Sequence, residues 1–315
     1  MIGSVLRKLG GLVLTLFLAS VVIFAALLAT PGDPVAAIAG GARPTPELIS
    51  QIRTAYRLDD PAWLRYVHWL GGVLTGDLGH SFVYKTDVST LVASRFGITL
   101  QLVLLTALFI VVLGMGSGVL AAVRGRGTDT VVSVLTSLGM ALPTFVVAIL
   151  LIWVFATSLG WLPSFGAGTA GFDRFLHLLL PALSLAVMYV AYVSRVTRGA
   201  LVAQLHSEHV ETARVRGIPR ARIIRVHVFR NASPQILAIS GTTIAGLFAT
   251  SAIAEQAFGL GGIGSLLTEA AARKDLPVVQ VVSLLLVTLF VVLNAVADLI
   301  SAAIDPDSAG TRRIS

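Results

Sequence analysis

His206–Pro234 reads HSEHVETARVRGIPRARIIRVHVFRNASP, a strongly charged segment between two long apolar runs. It carries Glu208, Glu211, Arg214, Arg216, Arg220, Arg222, Arg225 and Arg230. Ser207 stands where a helix cap is expected, and Glu208 and Glu211 suit the positive end of the helix dipole. Gly217 is placed to end that helix, and Pro219 to begin the next. The stretch therefore predicts a helix of about nine residues, ~14 Å long, a Gly-Ile-Pro turn, and a second helix running into the following apolar run. Val210, Ala213, Gly217 and Ile218 share one small apolar face, which suits a shallow groove on another protein.

The chain around it has 315 residues, 56% hydrophobic and 12% charged, against about 25% charged in a soluble domain. Mean hydropathy is +0.88. These values belong to a polytopic membrane protein. There is no cysteine, which excludes disulfides, thiolate nucleophiles and zinc–thiolate sites.

Charge-free runs cover Leu9–Gly32, Phe96–Val123, Thr130–Phe172, Phe175–Ser194, Asn231–Ala254 and Leu276–Ala297. Each is long enough for a helix to cross a ~30 Å hydrocarbon core. The third run is too long for one span, and its Gly/Pro-rich second half with Trp161 reads as a span to Thr157 followed by an outer loop. The reading is an all-α membrane protein with six spans: 9–30, then about 97–123, 130–157, 176–199, 233–254 and 277–303, with the charged loop at 200–232. Segments 1–8, 124–129, 195–230 and 304–315 hold 14 Lys and Arg in 62 residues, while 33–95, 159–174 and 255–275 hold 9 in 100. The positive-inside bias places both termini in the cytoplasm and 31–95 outside. It also assigns part of the loop's basic charge to topology rather than to nucleic acid.

Outside, Thr45-Pro46 starts one helix and Asp60-Pro61 another, the second carrying Trp63, Leu64, Val67, Leu70 and Leu74 at helical spacing up to Gly76. It reads as an amphipathic helix on the membrane surface or on the ends of the spans, or else as a docking element. Gly76–Ser81 (GDLGHS) reads as a turn. Gly114, Gly116 and Gly118 offer close helix contact, and Pro143 and Pro181 offer kinks. Gly259–Gly264 (GLGGIG) matches G-x-G-x-x-G, but no strand precedes it and no acidic residue follows at the right distance. It reads as a flexible outer turn.

No phosphate-binding G-x-x-x-x-G-K-[ST], no H-E-x-x-H and no G-x-S-x-G occurs. The charge-free runs leave no ionisable group deep in a span, which speaks against an ion-coupled carrier and against a membrane-embedded enzyme. A transporter built this way takes its energy from a partner, and the capped basic loop is the largest thing offered to one.

Glu211-Thr212-Ala213-Arg214-Val215-Arg216-Gly217 resembles the EAA motif of binding-protein-dependent ABC importer permeases, in the peptide-type form that continues to Arg225, His227 and Arg230-Asn231-Ala232. Ala29–Pro34, Gly76–Ser81, Leu142–Phe145, Gly160–Pro163, Leu180–Leu183, Glu255–Gly261, Asp275–Gln280 and Asp305-Pro306 follow in that family's order. The chain is similar to the first of the two permeases of dipeptide, oligopeptide and nickel importers. Thr212, and His227–Arg230, depart from the general motif as the peptide branch does.

The resemblance implies a type I importer permease whose region 96–303 is the transmembrane domain, with no catalytic residue and no cofactor of its own. ATP and magnesium would be bound by two cytoplasmic ATPase partners. A second, homologous permease would complete the pathway, and an extracytoplasmic solute-binding protein would deliver cargo. Glu211, Thr212, Ala213, Arg214, Gly217, Ile218 and Arg222 would couple to the ATPases. Glu211 would make polar contact or pair with Arg214. Asp77, Gly79, Phe258, Gly259 and Gly261 would form an outer gate or docking surface. A peptide, a nickel chelate or another small solute would fit this architecture.

Overall fold

The computed structural model describes residues 2–29, 45–55, 57, 59–81 and 83–304, so Thr30–Pro34 and Asp305-Pro306 lie outside the described residues. Among those described, the chain is helical with one isolated antiparallel bridge, His80 to Asp87. Five helices are long and apolar enough to cross a membrane, or six if one bent pair counts as a single span.

Contacts divide the chain into two units, Met1–Thr99 with Leu260–Val291, and Leu100–Gly259 with Val292–Ser315. In the first, α1 (Ile2–Leu28) is followed by α2 (Pro46–Ala55) and α3 (Ala62–Thr75). Proline opens α2 at its first position, where an amide would have had no helical acceptor. Gly76 closes α3 at φ 89°, with the Asp77 amide reaching the Gly72 carbonyl at 2.9 Å. α3 packs on α1 through Tyr66 and Trp69 against Phe24, at ring distances of 5.4 and 5.9 Å. Its Trp63, Val67 and Leu74 point away and stay exposed, as the outward face of a helix lying at a bilayer would.

α4 (Val88–Val123) widens into a π-helical stretch at Ile110–Met115. α5 (Arg126–Ala141) and α6 (Thr144–Ser158) meet at a 103° bend instead of forming one straight span. Leu142, held extended ahead of proline, and Pro143, without an amide hydrogen, break the helix there. α7 (Gly171–Leu205), α8 (Glu208–Val215) and α9 (Arg220–Ala257) follow. α7 and α9 outrun their charge-free stretches, so Arg195, Arg198 and Glu255 stand inside helices; the runs marked apolar chain, not the limits of backbone hydrogen bonding. Pro181 and Pro234 stay within α7 and α9. At Pro234 the carbonyl left without its helical amide, Arg230's, takes the Ser233 hydroxyl at 2.8 Å.

α10 (Ile263–Ala272) occupies what the glycine run suggested was flexible loop. Ile263, Leu266 and Ala270 recur at helical spacing and are all 1% exposed or less. α11 (Leu276–Ile304) ends the described chain.

The interior of the second unit along α7 mixes large aliphatic side chains, Leu180, Leu185 and Leu201, with small or hydroxylated ones, Ala182, Ser184, Ala186, Ala191, Ser194 and Thr197. Other large side chains of the unit face outward, Leu104, Leu135, Ile149 and Trp153 each at 60% exposure or more. Lipid supplies no hydrophobic penalty for that exposure, so close approach of backbones drives assembly. Gly114 and Gly118 show it: a Cβ on Gly118 would stand 2.7 Å from that of Thr197, and one on Gly114 3.2 Å from that of Val193. Gly116, two residues from each and turned away from that face, meets nothing.

Candidate functional site

α8 forms where the capping signals put it. Ser207 is extended at the N-cap position, but its hydroxyl donates to the Gln204 carbonyl at 2.6 Å rather than accepting from the first turn. At the other end Gly217 takes φ 71°. Its amide bonds the Arg214 carbonyl at 2.9 Å and the Ile218 amide reaches the Ala213 carbonyl at 3.1 Å. That paired closure is the Schellman arrangement, and it needs a left-handed residue at Gly217. A Cβ at Gly217 would touch nothing, so glycine serves the backbone angle and not a tight contact.

The apolar face of α8 is not offered to another protein. Val210 and Ala213 are 0% and 4% exposed, buried among Ala200 and Leu201 of α7 and Ile223, Val228, Ala232 and Ile236 of α9, with Ile218 packed at the edge. The same small side chains that fit a partner's groove fit the chain's own bundle, and the nearer site wins. What α8 presents outward is Glu208, Glu211, Thr212, Arg214 and Arg216, together with Val215 at 84% exposure. Among the described residues no ion pair joins Glu211 to Arg214; the Arg214 guanidinium donates to the Leu205 carbonyl at 3.3 Å. Arg222 lies exposed on the first turn of α9, and neighbouring Arg220 donates to the Val123 carbonyl at 3.2 Å. His209 meets Asn231 of α9 at 3.1 Å. Thus Glu211, Thr212, Ala213, Arg214, Gly217, Ile218 and Arg222 form one local structure, with Ala213 as its inner anchor and the charges as its outer surface.

The outer candidates fall in both units. In the first, Asp77 accepts the Gly79 amide at 3.0 Å and Gly79 takes φ 80°. The turn then pairs back on itself, with the Ser81 amide on the Thr86 carbonyl at 2.9 Å and the Val88 amide on that of Gly79 at 3.0 Å. The decisive partner is Asp275, which the sequence did not single out. It is wholly buried, and its carboxylate takes the Ser81 hydroxyl at 2.5 Å and the Val83 amide at 3.2 Å. Beside it, the Tyr84 hydroxyl donates to Glu269 at 2.7 Å, and Arg95 reaches the same carboxylate at 3.4 Å. Burial, then the Glu269 carboxylate, push the Tyr84 phenol above its ordinary range. Ser81 and Asp275 each stand in a quoted motif, but no local pattern pairs residues so far apart.

Gly261, also in the first unit, takes φ 69°. In the second unit Phe258 is 1% exposed, and its carbonyl accepts the Gly166 amide at 2.8 Å. Gly259 takes φ 60°, and any Cβ there would strike the Phe165 ring. This turn is wedged in place rather than free. Among the described residues no cluster of His, Asp and Glu is suited to hold a metal ion.

Residues 110–309 match the family described as binding-protein-dependent transport system inner membrane component, and residues 1–103 its N-terminal companion. The glutathione transport system permease protein GsiC of Escherichia coli K12 is 34% identical over 307 residues, covering 97% of this chain and 98% of its own. A probable peptide ABC transporter permease protein of Sinorhizobium fredii, y4tP, is 33% identical over 308 residues, covering 96% and 97%. In fold, the chain is similar to the inward-facing MetNI methionine ABC transporter, at a TM-score of 0.57 and 22% identity, over 68% of this chain and 96% of that one. An all-helical, multi-span chain matched along almost its whole length by these relatives has one place: it belongs to the binding-protein-dependent inner membrane components, as a non-catalytic, multi-pass permease subunit of a bacterial ABC importer.

Proposed function

We propose that this permease passes short peptides and is driven through α8, whose outward face (Glu208, Glu211, Thr212, Val215 and Arg216) meets a cytoplasmic ATPase subunit. The observation that carries this reading is the division of α8 into a buried apolar face locked to α7 and α9 and a charged face with an 84%-exposed valine at its centre. A helix anchored on one side and open on the other transmits a push. Ala213 and Gly217 work from within, Ala213 by close approach and Gly217 by the left-handed turn that holds the helix to the bundle. In this reading both termini are cytoplasmic, a second homologous permease completes the pathway, and a solute-binding protein delivers cargo from the extracytoplasmic side, with Asp77, Gly79, Phe258, Gly259 and Gly261 as the proposed gate or docking residues. The peptide assignment rests on the peptide-type form of the 211–232 motif and on the glutathione and peptide permeases among its relatives.

The test is Gly217→Leu. Leucine at φ 71° costs about 1–2 kcal/mol and unlatches the turn, while its Cβ meets no neighbour. The variant should insert and assemble at wild-type levels yet lose ATP-dependent uptake. Normal uptake would remove α8 from the coupling role. The cargo is tested separately, by measuring which ligands the partner solute-binding protein holds; a preference for non-peptide solutes would overturn the peptide assignment.

A further inference from the structure

α5 and α7 are joined by a polar ladder that the reading of the spans did not anticipate. Asp129, Ser133, Thr136 and Ser137 share one face of α5. Arg198 of α7 grips Asp129 with both arms of its guanidinium, Nε on Oδ1 and Nη2 on Oδ2, the latter at 2.6 Å. Ser133 adds a contact to the same carboxylate at 3.4 Å. One turn earlier on α7, Arg195 donates to the Ser137 hydroxyl at 2.5 Å and the Thr136 hydroxyl at 3.3 Å. A two-armed guanidinium–carboxylate pair fixes orientation as well as distance, which a lysine would not do.

Beyond the ladder α5 meets α7 closely at Gly139, where a Cβ would stand 3.3 Å from that of Ala191. An open groove of about 290 Å³ runs beside that contact, lined by Val132, Leu135 and Thr136 of α5, Val187 and Val190 of α7, and Leu113 of α4. The small residues set the distance between the helices, and the ladder fixes their orientation and register. α5 then ends at the 103° bend into α6. In the other direction, Arg198 stands seven residues before the end of α7, about 10 Å along the helix. α8 follows directly, and Ala200 and Leu201 hold Val210 and Ala213 in one buried cluster.

We propose that Asp129 and Arg198, backed by Arg195, are positioning residues for transport. They carry a displacement of α8, relayed by α7, into α5 and the bent α5–α6 pair. This rests on α8 being the coupling helix. Broken, the fork leaves α8 free to respond to the ATPases while α5 no longer follows, so hydrolysis continues and uptake does not.

The experiment uses the full complex, this chain with its second permease, ATPases and solute-binding protein, in proteoliposomes. Uptake and ATP hydrolysis are measured together for Asp129→Ala, Arg198→Ala, Arg198→Lys and the exchange Asp129→Arg with Arg198→Asp. The single alanine variants should lose about tenfold in uptake while hydrolysis stays within about twofold, and the exchange should recover most of the loss, because the two residues act as one coupled unit. Arg198→Lys keeps the charge and loses the fork, so it should assemble normally and still consume more ATP per substrate. A wild-type ratio of uptake to hydrolysis in Arg198→Lys, or parallel loss of both activities in the alanine variants with no recovery on exchange, overturns the proposal. Gly217→Leu run alongside separates the two claims: normal uptake there refutes the role of α8, whereas a normal ratio in Arg198→Lys refutes only the ladder.

Discussion

Asp275 shows how much a single residue can organise without a visible signature. A wholly buried carboxylate must be met by donors, and the Ser81 hydroxyl and the Val83 amide meet it from 194 and 192 residues away in the sequence. Removing one donor leaves the carboxylate less well satisfied, at a cost of about 1–3 kcal/mol. Ser81→Ala should accordingly lower the thermal unfolding midpoint of the purified chain, whereas Ser94→Ala, which removes only an exposed bond to the Leu91 carbonyl, should leave it unchanged. An unaltered midpoint in Ser81→Ala would show that the clamp contributes nothing. Gly217 is the contrasting case. Its role was legible in advance, because glycine followed by Ile-Pro after a charged helical stretch has one economical conformation. Turn chemistry is written locally; a tertiary hydrogen bond between residues 81 and 275 is not.

At the scale of the element, helix existence was easier to read than helix surface. The charged loop does fold as two helices joined at Gly217–Pro219, and the Leu142-Pro143 step does interrupt its span. The faces were harder. Val210 and Ala213 were assigned to a partner, and the chain buries them itself, since a small apolar face does not record which groove it fills. α10 was missed because Gly259–Gly264 masks a helix start at Gly262, although Ile263, Leu266 and Ala270 keep helical spacing. The glycines of α4 make the element-level prediction. In Gly118→Ala the new methyl meets the Ser194 carbonyl at 2.5 Å, while in Gly116→Ala it meets nothing. Gly118→Ala should destabilise by about 1–3 kcal/mol through overpacking, and Gly116→Ala should be neutral or stabilising by up to about 1 kcal/mol, as read from denaturation of the detergent-solubilised protein. Equal effects would mean that α4 does not meet α7 through its Gly114–Gly118 face.

Over the whole molecule, the distribution of polarity decides the class. Large apolar side chains, Leu104, Leu135, Ile149 and Trp153 among them, point outward from the Leu100–Gly259 unit as well as filling its interior, which a soluble bundle would not tolerate over so much of its surface. Composition alone was enough for that, while the run lengths read as six spans meet five spanning helices, or six with the bent α5–α6 pair taken as one. Composition was not enough to show how far the helices run: the span read as 176–199 extends from Gly171 to Leu205, well past Arg195 and Arg198. If α8 is the coupling helix, as proposed, force enters through the surface left open after the chain has packed its own apolar faces, and on α8 that surface centres on Val215. The chain contains no cysteine of its own, so one introduced at a time reports without background from this subunit. Val215→Cys and Ala213→Cys, each carrying a short photo-activated crosslinker in the assembled complex, should behave oppositely. Position 215 should join the ATPase subunit in high yield and position 213 should not. Crosslinking from position 213 with none from 215 would contradict the assignment of the outward face as the one the ATPase drives.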